Sequence, residues 1–102
     1  MNRKILHIKL KTPQLIVCHF NNGEKKILDL SIIKDQYISK IIENEDIFKK
    51  VEIGNYGQIL WHNVAYMKDL DGNKIPCEYD ISPEFAYIHS KPINSDSFTE
   101  IH

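Results

Sequence analysis

The sequence predicts an α+β domain: an antiparallel sheet of hairpins with one or two short helices packed on one face. Two turn signals, Asn21-Asn22-Gly23-Glu24 and Gly54-Asn55-Tyr56-Gly57, each separate two apolar runs. Gly and Asn adopt the positive φ angles that tight hairpin turns require. Between these hairpins, apolar residues recur three and four positions apart over residues 33–42, which is the period of a helix.

The first strand is predicted over residues 5–10, where side chains alternate between two faces. Leu6, Ile8 and Leu10 share one face, and His7, Lys9 and Lys11 share the other. Residues 15–20 are apolar on both faces and are therefore predicted to form a central strand, followed by a returning strand over residues 26–30. Pairing across the turn at Pro13 sets His7 beside His19 in one register. A slip of one residue places Cys18 opposite His7 instead.

Capping chemistry predicts where the helices begin. Ser31 offers a hydroxyl to the helix over residues 33–42, and Asn44 caps a second short turn that bears Glu45 and Asp46. Ser82 followed by proline is predicted to start a third helical segment of one turn. Asp29 and Asp80 are also assigned to helix caps, since each precedes a helical segment.

The remaining strands follow from alternation and turn residues. In the hairpin over residues 51–61, Ile59 and Trp61 alternate with Leu60, and Trp61 is predicted as its largest buried side chain. A third hairpin is predicted about Asp71-Gly72-Asn73, and Pro76 confines its second strand to a sheet edge. Residues 1–90 are therefore assigned to a single domain and residues 91–102 to a polar C-terminal tail.

Composition narrows the function classes. The chain has 102 residues, a net charge of −1 and two cysteines. Its apolar runs are too short to span a bilayer, and no apolar core of a signal peptide follows the basic start. Two cysteines make no disulfide framework. We therefore expect a reduced cytoplasmic protein without membrane contact.

Catalytic and metal-binding motifs are absent from the sequence. It contains no CxxC, HxxxH, GxSxG or glycine-rich phosphate loop, so no cofactor or metal is expected and the chain is not predicted to be an enzyme. Cys18 and His19 are neighbours on a strand and face opposite ways, so they cannot form a dyad. A metal-dependent or hydrolytic enzyme that uses His62 or His89 remains a third hypothesis.

Lysines near the first hairpins support an alternative function. Nucleic-acid binding would use Lys9, Lys11, Lys25 and Lys26, with Tyr56 as the nearby aromatic for base stacking. The competing interpretation, which the small net charge of −1 favours, is that lysines along an edge strand prevent association between edges.

The order of several short motifs resembles a known family. Leu28-Asp29-Leu30 ends the first hairpin, residues 47–51 read Ile-Phe-Lys-Lys-Val, and residues 57–61 read Gly-Gln-Ile-Leu-Trp. Residues 80–87 then read Asp-Ile-Ser-Pro-Glu-Phe-Ala-Tyr. Over residues 5–88 this order is similar to the bacterial domain of unknown function 2442 family. The chain departs from it by an inserted hairpin over residues 67–79 and by Ala86 at a position where leucine is usual.

The resemblance implies a small α+β domain without established enzyme activity, often encoded beside a small protein regarded as its toxin partner. It therefore favours a protein-interaction domain, the antitoxin-like member of a two-gene pair, over an enzyme. The predicted contact residues are the aromatic side chains Tyr66 and Tyr79 of the insertion. The edge from Lys74 to Glu78 is predicted to add a strand to a partner or, in a homodimer, to a second copy.

Overall fold

Two antiparallel sheets form the framework of the computed structural model, which describes residues 2–93. The strand order is β1-β2-β3-β7 in the first sheet and β4-β5-β6 in the second. Three short α-helices and one 3₁₀ turn complete the α+β fold predicted from the sequence. The elements in chain order are β1 (Ile5–Lys11), β2 (Leu15–Phe20), β3 (Lys25–Asp29), the 3₁₀ turn (Leu30–Ile32), α1 (Gln36–Glu43), α2 (Glu45–Phe48), β4 (Glu52–Ile53), β5 (Ile59–Lys68), β6 (Lys74–Ile81), α3 (Pro83–His89) and β7 (Lys91–Pro92).

The first sheet confirms the central position of β2 and corrects the face of Leu6. His7 lies opposite His19, and Cys18 lies opposite Ile8, so the register that pairs Cys18 with His7 is wrong. An irregularity between Ile5 and His7 interrupts the alternation, since the extra residue of a bulge re-aims its neighbours. Leu6 is therefore 52% exposed, and Ile5 enters the core in its place.

The 3₁₀ turn and α1 are capped by aspartates and not by Ser31. Asp29 accepts a hydrogen bond from the Ser31 amide at the 3₁₀ turn, as its predicted capping role requires. Helix α1 begins only after Asp35, whose carboxylate accepts hydrogen bonds from the Tyr37 and Ile38 amides. The prediction that Ser31 caps this helix is therefore wrong. Asn44 caps α2 as predicted. The apolar stripe of α1 is confirmed, with Ile38 and Ile41 in the core.

The second sheet is built around Trp61. Trp61 is the largest fully buried side chain in the described residues, and its indole Nε1 donates to the Phe48 carbonyl at 3.2 Å. Leu60 is also buried, so the predicted alternation fails here because β5 is covered on both faces. The third hairpin is confirmed, with Gly72 at φ +84° in its turn and β6 at the sheet edge.

The C-terminal elements are longer than predicted. Ser82 caps α3 as expected, but the helix continues to His89. Asp80 lies within β6 and is not a cap. Residues 91 and 92, which the sequence assigned to the tail, pair with β3 as β7. Residues 94–102 of that assigned tail lie outside the described residues.

A close backbone approach at Gly57 joins the two sheets. The Ile5 amide donates to the Gly57 carbonyl at 3.0 Å, so the start of β1 is held on the turn between β4 and β5. Gly57 has φ +76°, and a Cβ there would lie 2.8 Å from the Lys4 Cα and 2.9 Å from the Ile5 nitrogen. Only glycine combines that backbone angle with that approach.

We expect Gly57→Ala to destabilise the protein more than Gly23→Ala. Gly23 also has a positive φ of +90° but no atom within 4 Å of an added Cβ, so its substitution measures backbone strain alone. That strain costs about 1 kcal/mol, whereas the additional backbone clash at Gly57 raises the loss to more than about 2 kcal/mol. Urea unfolding at constant slope measures both losses; equal losses would show that the sheets do not meet tightly at Gly57.

Candidate interaction surfaces

Strands β5 and β6 extend past the rest of the second sheet as a two-stranded ribbon. β4 pairs only with Ile59 and Leu60, so it leaves the distal part of β5 uncovered along its edge. We call residues 65–78 the interaction arm. Its strands pair in register from Ala65–Cys77 to Lys68–Lys74, and a five-residue turn closes it. Asp69 stabilises this turn by accepting bonds from the Asp71 and Asn73 amides.

The interaction arm concentrates exposed apolar side chains. Four of the eight large apolar side chains exposed in the described residues lie on it: Tyr66 at 45%, Met67 at 57%, Leu70 at 106% and Ile75 at 41%. Met67 lies directly opposite Ile75, Tyr66 lies opposite Pro76, and Leu70 occupies the tip. Both faces of the ribbon therefore present apolar surface to solvent, which is typical of a contact surface for another protein.

The structure separates the four predicted contact residues. Tyr66, Lys74 and Glu78 are exposed on the arm. Tyr79 is half-buried, because strand alternation turns it to the same face as Trp61, 6.2 Å away between ring centroids. Burial, followed by the hydrogen bond that its hydroxyl donates to Asp35, raises the pKa of Tyr79 well above its usual value. Tyr79 is thus corrected from a contact residue to a packing residue.

Sequence reasoning missed three apolar members of the arm. Met67, Leu70 and Ile75 are single apolar residues among charged and turn residues, and isolated apolar residues carry no periodic signal. The Asp71-Gly72 turn was the available indication, since a hairpin tip projects its flanking side chains into solvent.

The predicted lysines divide between the two faces of the first sheet. Cross-strand pairing puts His7, His19 and Lys25 in one row and Lys9 and Lys91 in the next row of the same face. We call these five residues the basic face. Lys11 lies on this face beside them, half-buried and opposite Leu15. Partial burial lowers the pKa of His19, and the positive charges of Lys25, His7 and Lys9 lower it further.

Lys26 is corrected from a nucleic-acid contact to a buried structural residue. It is only 8% exposed, because it faces the core side of β3 while Lys25 faces solvent. Its ammonium donates to the Tyr87 carbonyl and lies 4.0 Å from the centre of the Tyr87 ring. Arg3 approaches the same ring at 4.0 Å. Tyr56 is 77% exposed, but it lies on the turn between β4 and β5 and not on the basic face.

The two histidines of the enzyme hypothesis have different surroundings. His62 Nε2 lies 2.8 Å from Glu52, and its Nδ1 lies 3.6 Å from Glu78, so the carboxylates approach opposite edges of the ring. A zinc ion needs ligands that converge on one point, and residues 2–93 contain no group of three His, Cys, Asp or Glu arranged to hold a metal. His89 stacks on Phe85, with ring centroids 4.2 Å apart.

In comparisons with known proteins, no family model, no curated protein and no solved structure matches this chain. Within residues 2–93, no helix is both long and apolar enough to cross a membrane.

Thiol chemistry distinguishes the two cysteines. Cys18 is fully buried, and burial raises its pKa to about 12, so its thiol is neither accessible nor ionised near neutral pH. Cys77 is half-buried on β6.

We expect iodoacetamide at pH 8 to alkylate Cys77 in the native protein and to leave Cys18 unmodified, as peptide mass spectrometry would show. Unfolding in urea should make both react; rapid alkylation of native Cys18 would contradict its burial.

Proposed function

We propose that this chain is a cytoplasmic protein-interaction domain that binds a small protein partner through the interaction arm, as the antitoxin-like member of a two-gene pair. The observation that carries the proposal is the exposure of Tyr66, Met67, Leu70 and Ile75 on one projecting ribbon. The family resemblance supplies the kind of partner.

The energetics of such binding follow from the arm's chemistry. Burial of a large apolar side chain stabilises a complex by about 1.5–3 kcal/mol, and aromatic residues contribute disproportionately to interface energies. Tyr66 is the aromatic residue of the arm, so it is expected to contribute most. Charged side chains surround the apolar surface, among them Lys68 and Lys74, and they supply the polar rim that a transient interface needs.

We expect Tyr66→Ala to weaken partner binding by about tenfold or more, which is the loss typical of a truncated interface aromatic. The partner is first identified by capturing the tagged chain's ligands from its native lysate, and affinities are then measured by calorimetry with the purified pair. Tyr56→Ala is the matched control, because Tyr56 is more exposed but lies on another turn. Equal affinities for the two variants would exclude the arm as the binding surface.

The basic face supports a second candidate function, binding of single-stranded nucleic acid. Lys9, Lys25 and Lys91 lie exposed in two adjacent rows of an open sheet, with the rings of His7 and His19 between them, 6.2 Å apart. Phosphates would contact the lysines, and bases would stack on the rings of the exposed His7 and the half-buried His19, as on other sheet surfaces that bind single strands.

If this candidate is correct, the affinity for a single-stranded oligonucleotide falls steeply as salt rises, because each phosphate contact releases a counterion. Lys9→Ala and Lys25→Ala would each reduce the slope of log affinity against log salt, whereas Lys68→Ala on the arm would not. Fluorescence anisotropy measures the slopes. Binding that is absent at low salt, or equally affected by all three variants, would remove the candidate.

A further inference from the structure

Within residues 2–93, the backbone of β6 presents hydrogen-bonding groups along the outer edge of the second sheet. The Asp69 amide donates to the Asn73 carbonyl, so Asp69 and Asn73 are a hydrogen-bonded pair of the antiparallel ladder. Such pairs alternate with non-hydrogen-bonded pairs. In the next pair, Lys68 and Lys74, the backbone groups of each residue therefore point away from the partner strand. The period of two then turns the backbone groups of Pro76, Glu78 and Asp80 outward as well. Pro76 therefore costs the β5–β6 ladder nothing, because its missing N–H would have faced the open edge.

One antiparallel register makes this edge complementary to itself. A two-fold axis through Cys77 places Lys74 opposite Asp80 of a second copy and Glu78 opposite Pro76. Lys74 and Asp80 then exchange two backbone hydrogen bonds and form an ion pair, and each copy loses only the bond that Pro76 cannot donate. On the other face, Ile75 lies opposite Tyr79, whose ring is already packed beside Trp61 of its own copy, so the contact rests on the backbone bonds and the ion pairs.

A neighbouring register and the β1 edge of the first sheet lack this complementarity. A shift that places the axis at Pro76 sets two prolines opposite each other, and both central hydrogen bonds are lost. On β1, the edge strand of the first sheet, the exposed edge residues include Lys9 and no acid, so two copies would bring like charges together. Among the strands at the sheet edges of residues 2–93, which are β1, β4, β6 and β7, only β6 carries lysine and carboxylates on one outward row.

We infer that β6 pairs with the β6 of a second copy, about an axis through Cys77, and joins two three-stranded sheets into one. This inference deepens the proposed function, since it assigns the edge of the interaction arm to self-association and leaves the arm's apolar faces to the cognate partner. The dimer presents two arms side by side, and an isologous contact of this kind closes without forming fibres.

Cys77 reports the register directly. On the two-fold axis, Cys77 of one copy lies opposite Cys77 of the other as a non-hydrogen-bonded pair. The Cα atoms of such a pair are about 4.5 Å apart, which is within the range of a disulfide. Diamide, which takes up the two hydrogens of the two thiols, should therefore convert the native chain to a covalent dimer on non-reducing gels. Cys77→Ser should abolish the product, whereas buried Cys18 should not contribute. A chain that is dimeric in sedimentation but gives no covalent dimer would overturn the inferred register.

Charge substitutions test the edge without touching the thiol. Lys74→Glu sets a carboxylate against Asp80 of the second copy and should weaken dimerisation by about tenfold or more, since both symmetric pairs become repulsive. Lys68→Glu is the matched control, because Lys68 lies directly opposite Lys74 but away from the outer edge. The double variant Lys74→Glu with Asp80→Lys should restore the dimer. Sedimentation velocity measures all four proteins; equal effects of the two single variants would overturn the proposal.

The outcomes separate this inference from the proposed function. Tyr66→Ala should leave the dimer intact while it weakens partner capture. Asp80→Lys, which lies outside the arm and sets a positive charge against Lys74 of the second copy, should leave partner capture intact while it weakens the dimer. A wild-type chain that stays monomeric at high micromolar concentration overturns the self-pairing, whatever the arm binds.

Discussion

The contact between the Gly57 turn and the start of β1 is the constraint on which the arrangement of the two sheets depends. The Ile5 amide has its partner in the other sheet, and no side chain fits between the two backbones. This contact puts Ile5 in the core and requires the irregularity that turns Leu6 out. The turn between β4 and β5 is thereby fixed, and with it the base from which β5 extends.

The interaction arm exists because β5 is much longer than β4. At its base, Ile59, Leu60 and Trp61 are buried, and farther along the strand Tyr66 and Met67 are exposed. Between them the register of β5 against β6 shifts, and Asn63 adopts a left-handed φ of 61°. A bulge of this kind bends a strand and increases its twist, so it separates the core-forming part of β5 from the projecting part.

Local chemistry made much of this fold predictable. Tight turns depend on a few residues with special backbone angles, so Gly23 and Gly72 located two hairpins from sequence alone, and Pro76 indicated an edge. The errors arose where contacts between residues far apart in the sequence determine the local structure. The capping role fell to Asp35 because the chain stays extended after the 3₁₀ turn, and Ser31 gave no local sign of that. Lys26 is buried because it faces the core side of β3, where the Tyr87 carbonyl, 61 residues away along the chain, accepts a hydrogen bond from its ammonium.

The pairing edge of β6 also depends on a contact that the sequence does not reveal. The acid and the base of the β6 edge, Lys74 and Asp80, lie six residues apart, but only the inward bond at Asp69 shows that their backbone groups share the outer side. Edge strands of soluble domains usually avoid pairing through charge and proline. A row with both signs of charge differs from a row of lysines. Two-fold pairing sets the lysine of one copy against the acid of the other, whereas two rows of lysines would set like charges together. β6 therefore permits association in one register and opposes others, whereas the lysine-bearing edge of β1 opposes self-pairing.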